Sequence, residues 1–263
     1  MARKKKEEYM ELHGLLGNAE DYHVYHMTRV DYLIAWLIGF ALGAVVAFAF
    51  FRNLILTLAG AIVCALLAPP YYNSFRKNGR LKQLRSQFKD LLESLTASYS
   101  AGKNTPGAFA DARDDMISIY GEDADIVKEL QIICSGLANN INIEVLLIDF
   151  ANRSELDDVM SFANVFEVCN RQGGDLKRVV SDTREIINDK IEIEMEIETM
   201  LSGNKNELNI MMIMPVIVVL SLSSMGTMTI VSNSPVNLLV KVICLGIFGA
   251  AYLIGRKIVD IKI

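Results

Sequence analysis

The chain has three histidines, and all of them, His13, His23 and His26, stand ahead of the first long apolar stretch. The polar middle of the protein is therefore without an imidazole for general acid–base work, and no Ser/His/Asp or Cys/His set is visible there. His23 and His26 alone cannot close a metal site, so the three are expected to be solvated. Cysteine is nearly as sparse: Cys64, Cys134, Cys169 and Cys244, with no C-x-x-C among them. A disulfide framework or a zinc site is not expected from that pattern, and the four read as reduced, packed thiols. Excess positive charge is missing as well. The net charge is −5, which is no nucleic-acid signature, and the basic residues gather near the apolar stretches instead. Those stretches hold no Asp or Glu, the groups that a proton- or ion-coupled pump usually needs there. A small transporter is disfavoured on that ground.

A phosphate-binding loop is also lacking. Gly102-Lys103 tempts, but the loop needs glycine five residues earlier and Ser or Thr directly after the lysine. Those positions hold Ala97 and Asn104. No cofactor, metal or catalytic residue is expected.

What the chain does have is four apolar stretches in two close pairs, residues 33–51 with 54–72 and 208–231 with 236–254. Each is near the ~20 residues that a helix needs to cross a bilayer core. Lys and Arg set the orientation. Arg3, Lys4, Lys5, Lys6 and Arg29 precede the first stretch, Arg76, Lys77, Arg80, Lys82 and Arg85 follow the second, and Arg256, Lys257 and Lys262 follow the fourth. The connections inside the pairs carry Arg52 alone. The expected organisation is thus a cytoplasmic tail 1–32, transmembrane helices 1 and 2 over 33–72, a cytoplasmic domain 73–207, helices 3 and 4 over 208–254, and a cytoplasmic tail 255–263. The location is a cell (inner) membrane, and the basic clusters favour anionic lipid headgroups. Gly39-x-x-x-Gly43 is suited to close helix packing, either within the chain's own spans or at a seam between copies.

The middle reads as all-α. Leu81, Leu84, Phe88, Leu91, Leu92, Leu95 and Tyr99 form one stripe on a helix over 81–101, which Gly102 ends. Thr105-Pro106 reads as N-cap and first-turn proline of a helix to 120. Gly121 with Glu122, Asp123 and Asp125 opens the next, to 138. A short helix follows over 143–152. Ser154 with Asp157 reads as a capping-box-like start for a helix through Leu156, Val159, Phe162, Phe166 and Cys169. Gly173-Gly174 breaks the chain, and a sixth helix leads from 175 toward the third span. Six short helices with apolar stripes predict a compact antiparallel bundle. Asp111, Asp114, Asp115, Glu122, Asp123 and Asp125 read as a solvated, capping face, with a docking surface or a weak Ca²⁺ site as the sharper alternatives. Residues 190–198 alternate like a strand but have no partner strand, and are read as helix. Ile191 and Met195 would face the home bundle. Ile193 and Ile197, rimmed by Glu192, Glu194, Glu196 and Glu198, would dock a basic partner.

The ordered motifs complete the reading. They are Q-F-K-D-L-L-E-S-L-T-A-S-Y-S-A-G (87–102), Ala108-Phe109, L-L-I-D-F-A-N-R ending at Arg153, N-R-Q-G-G-D-L-K-R-V-V (170–180), and Met214-Pro215. This set resembles the type II secretion system F family, the inner-membrane platform proteins of type II secretion, type IV pili and tight-adherence (Flp) pili. One copy of the helical domain between two span pairs is most similar to the TadB/TadC-like tight-adherence branch. The resemblance marks Gly102, Gly173, Gly174 and Pro215 as architectural turns and breaks. It implies a non-enzymatic platform that couples a cytoplasmic assembly ATPase to pilin movement, with pilin subunits and a paralogous platform protein as partners in a homo- or hetero-oligomer. The glutamates of 192–198 depart from the basic helix found there in many tight-adherence relatives. A membrane-anchored signalling protein with a helical output domain is the alternative.

Overall fold

The computed structural model describes residues 14–15, 21–22, 27–51, 54–224 and, near the C-terminus, 243–244, 246–247, 249–252 and 254–255. No strand occurs among them. The helices are α1 (Arg29–Phe51), α2 (Leu54–Ser100), α3 (Thr105–Tyr120), α4 (Asp125–Ala138), α5 (Ile143–Ser154), α6 (Asp157–Gln172) and α7 (Leu176–Ser224). They divide between two compact units. One holds Met1–His26 and Ser74–Ile191, the other Met27–Asn73 and Glu192–Ile263.

The first unit is built on a continuous apolar core. α2 contributes Leu84, Phe88, Leu91, Leu92 and Leu95, α3 Phe109 and Met116, and α4 Ile126, Leu130 and Ile133. Leu147 and Phe150 come from α5, Phe162 and Phe166 from α6, Val180 and Ile187 from α7. Five phenylalanines form a chain of edge or tilted contacts through it. Phe150 meets Phe88 at 6.2 Å, Phe88 meets Phe162 at 5.6 Å, Phe162 meets Phe166 at 5.5 Å and Phe166 meets Phe109 at 6.5 Å. These are favoured aromatic geometries, and they tie α5, α2, α6 and α3 together. A charged clasp adds α7: Asp158 on α6 accepts from Arg85 Nε of α2 at 2.5 Å and from Lys190 Nζ of α7 at 2.8 Å.

Several local boundaries differ from the sequence expectation. α2 does not stop at residue 72 and restart at 81, but runs unbroken to Ser100. The polar stretch between holds no proline and a single glycine, Gly79, so an established helix propagates through it at little cost. Asn104, one residue earlier than Thr105, is the N-cap of α3, and its side chain accepts from Gly107 N–H at 3.0 Å. Asparagine outranks threonine as a cap, and Pro106 remains inside the first turn, where its missing N–H is harmless. α4 begins only at Asp125, after a turn made possible by Gly121 at φ +81°. Ser154 does not cap α6. It completes α5, because Glu155 takes the left-handed conformation at φ 51°. Its hydroxyl donates to Ala151 O at 3.2 Å, and Leu156 becomes the N-cap of α6 without a side-chain bond. At the start of α1, the Asp31 carboxylate accepts from Thr28 N–H at 3.1 Å, the reach-back half of a capping box, so the helix begins before the apolar run.

In the second unit α1 and the first part of α2 approach closely along small residues. Ala35, Ala47, Ala61 and Ala65 are buried. A Cβ on Gly39 would lie 2.5 Å from Ala68 Cβ, and one on Gly43 would lie 2.6 Å from Cys64 Cβ. Only glycine permits this spacing. The larger side chains point the other way: Leu33, Leu37, Leu42, Leu54, Ile55 and Leu66 are all exposed. Of the third expected stretch, residues 208–224 lie in α7. Of the fourth, the described residues are helical, and the rest of both stretches lies outside the described residues.

Candidate functional site

The most elaborate polar structure is a buried cluster in the first unit. Arg153, at the C-terminal turn of α5, is 1% exposed, and Glu129 of α4 is also 1% exposed. Their contact is bidentate: Arg153 Nη1 donates to Glu129 Oε1 at 2.7 Å and Nη2 to Oε2 at 2.6 Å. Arg153 Nε donates to Asp149 Oδ2, one turn back, at 2.9 Å. Burial alone would ease the proton off Arg153. The hydrogen bonds and charges of Glu129 and Asp149 outweigh it and hold the guanidinium more firmly protonated than usual. Tyr22, from the N-terminal segment, lies on this pair. Its hydroxyl donates to Glu129 Oε1 at 2.7 Å and its N–H donates to Arg153 O at 3.1 Å. Burial, then the charge of Glu129 and the bond to it, push the phenol pKa upward. Arg80 of α2 covers the ring at 4.8 Å and pairs in fork fashion with Asp125 through Nε and Nη2, both at 2.7 Å.

These residues were not singled out from the sequence, although two signals were present. Glu129 occupies the i+3 position of the stripe Ile126–Leu130–Ile133, so an acid faces a core. Asp149 and Arg153 stand one turn apart on α5. Tyr22 carried no signal, since its hydrogen-bond partners Glu129 and Arg153 are more than a hundred residues away.

The residues that were singled out fall in separate places. Lys103 pairs with Asp111, whose carboxyl is held below its ordinary range first by the bond from Lys103 and then by its charge. Asp115 accepts from Ser94 Oγ at 2.5 Å, Asp114 pairs with Arg113 at 2.8 Å, and Asp125 pairs with Arg80. Asp111, Asp114, Asp115 and Asp125 are thus each taken up by a different partner, Glu122 and Asp123 are exposed, and no group of His, Cys, Asp or Glu among the described residues is placed to hold a metal. Cys134 is made a poorer nucleophile by burial, which raises its pKa. Gly102 and Gly173 adopt φ +79° and +69°. Gly173 closes α6 in the left-handed conformation, and Gly174 N–H returns to Cys169 O at 2.8 Å, a Schellman-type cap. Pro215 lies inside α7.

Residues 190–198 are helical, as read. Ile191 packs on the core, but Met195 does not; it is 54% exposed, and Ile193 is 55% exposed. The reason is that the first unit ends at Ile191, so the next turns have no home core to pack on. Glu192 and Glu196 are exposed, while Glu194 and Ile197 are half-buried. The Glu198 side chain lies outside the described residues, as do His13, His23 and His26.

Two helices, Arg29–Ala49 within α1 and α2, are long and apolar enough to cross a membrane. The core helix of a soluble protein of that composition would be mostly buried, yet only 28% and 11% of their apolar windows are. In comparisons with known proteins, no family model, no curated protein and no solved structure matches the chain.

Proposed function

We propose that this protein is a non-enzymatic, multi-pass platform of the inner (cytoplasmic) membrane for assembling a type IV/Flp-type pilus or for type II-like secretion. On this reading it couples a cytoplasmic ATPase to pilin movement. It has four spans, cytoplasmic termini and an antiparallel six-helix cytoplasmic bundle, and works in an oligomer with a paralogous platform protein. The observation that carries the reading is the contact of Tyr22 with Glu129 and Arg153. Tyr22 precedes the first apolar helix and its partners follow the second. A chain that crosses twice between them returns to one side, as the Lys/Arg distribution requires. Two further features support it. The large side chains exposed on α1 and the start of α2 are apolar, as a lipid-facing surface demands. α2 and α7 each run from an apolar segment into the helical unit, a connection through which a push on the unit could reach the membrane.

The docking surface for the ATPase or paralogue lies on α7 just beyond the core, at Ile193 and Ile197 with Glu192, Glu194 and Glu196 as a rim. Buried apolar anchors set most of an interface's affinity, and rim charges set association rate and partner choice. Ile193→Asp with Ile197→Asp is expected to abolish co-purification of the ATPase and paralogue from solubilised membranes, with circular dichroism unchanged. Glu192→Lys with Glu196→Lys is expected to weaken it in a salt-dependent way. A wild-type chain that brings down neither partner, or pilus and secretion output that survives its deletion, would overturn the platform reading.

A further inference from the structure

We infer that the helical unit carries a receptor pocket for a short tyrosine-bearing segment, and that the chain's own Asp21-Tyr22 fills it in cis as a removable strap. Both residues are buried, at 4% and 2% exposure. Tyr22 is read at every part of its structure. Its N–H donates to Arg153 O at 3.1 Å. Its hydroxyl donates to Glu129 Oε1 at 2.7 Å, with the Asp125 carbonyl oxygen a more distant acceptor at 3.4 Å. One face of the ring lies under the Arg80 guanidinium at 4.8 Å, and the ring meets Phe150 edge-on at 6.5 Å. A neutral phenol answers all of these contacts. Phenylalanine leaves the carboxylate one donor short, and an acidic or phosphorylated side chain would set like charge against Glu129.

The charged groups that line the pocket are paired with one another as well as with its occupant. Arg153 still holds both oxygens of Glu129 through Nη1 and Nη2, and Arg80 still holds both oxygens of Asp125. No carboxylate that Tyr22 touches is left without a cation when the strap leaves. Removing a residue on which a buried network depends is costly because it orphans a charge, and here the charges are paired before Tyr22 arrives. Such an arrangement suits reversible recognition of a segment rather than completion of a core.

The test uses the full chain in detergent. In wild type, the amide of residue 22 is expected to be protected from hydrogen exchange. In Tyr22→Ala that protection is expected to fall to the level of an unstructured peptide, with helix content retained and the melting midpoint lowered only by what the strap's own binding contributed. A synthetic peptide of residues 14–28 is then added to the Tyr22→Ala protein. Saturable binding is expected, weakened roughly tenfold or more when the peptide carries Tyr22→Phe, the usual consequence of losing a hydrogen bond to a charged group. Tyr25 stays in both peptides as an internal control. Tyr22→Phe in the full chain is expected to raise exchange at residue 22 while leaving the fold intact. Unfolding of the Tyr22→Ala protein would make Tyr22 a core residue and overturn the inference. So would unchanged protection in that variant, failure of the wild-type peptide to bind, or equal binding of the two peptides.

Discussion

At the scale of single residues, stability rests on two kinds of buried group. Phe88 and Phe166 are fully buried, and each is part of the aromatic chain through the core. Phe88→Ala and Phe166→Ala are each expected to cost roughly 3–5 kcal/mol, the usual range for a buried phenylalanine. Thermal unfolding of the full chain in detergent checks this, and an unshifted midpoint would place the ring at a surface. Arg153 is different in kind. Arg153→Met leaves Glu129 charged and buried, for an expected loss of about 3–5 kcal/mol, whereas Arg153→Met with Glu129→Leu should recover much of it. A double variant no better than the single would mean that another cation satisfies Glu129. The burial of the phenylalanines was legible from their stripes. The ion pair was only half legible, since a carboxylate on an apolar face announces a partner without saying which.

At the scale of elements, caps and glycines decide where helices stop, and close approach decides how they pair. The caps shifted by a residue or more from the simplest reading. Asn104 competed with Thr105, and Glu155 accepted a left-handed turn that let Ser154 stay in α5. Asn104 and Thr105 are both good caps, whereas a leucine cap forgoes about 1 kcal/mol relative to serine, so tertiary packing overrides local preference at the start of α6. Gly39 and Gly43 are another matter. Their spacing marked a close approach, but two partners fitted it, and the structure places Gly39 against Cys64, Ala65 and Ala68 and Gly43 against Ala61 and Cys64 of the same chain. Gly43→Leu is expected to push α1 from α2 and lower the melting midpoint in detergent. Gly203→Leu on α7, where a Cβ would meet nothing within 4 Å, serves as the control. Equal effects of the two would argue against the α1–α2 seam.

At the scale of the whole molecule, the prediction is topological. Reporter fusions at Arg52 and Ser234 should read as external, and those at Lys103 and the C-terminus as internal. An external signal at Lys103 would overturn both the four-span arrangement and the reading of the Tyr22 contact as a same-side contact. The sequence by itself determined the helical class, the apolar character of α1 and the start of α2, and most core positions. These follow from periodicity and local propensity, which act over a few residues. Only the tertiary structure decided that α2 continues unbroken into the domain, that the home core ends at Ile191 and leaves Met195 exposed, and that Tyr22 meets Glu129 and Arg153. The physical reason is separation. A contact between residues 22 and 129 is made by two groups whose local sequences are each satisfied without the other, so only the folded chain brings them together.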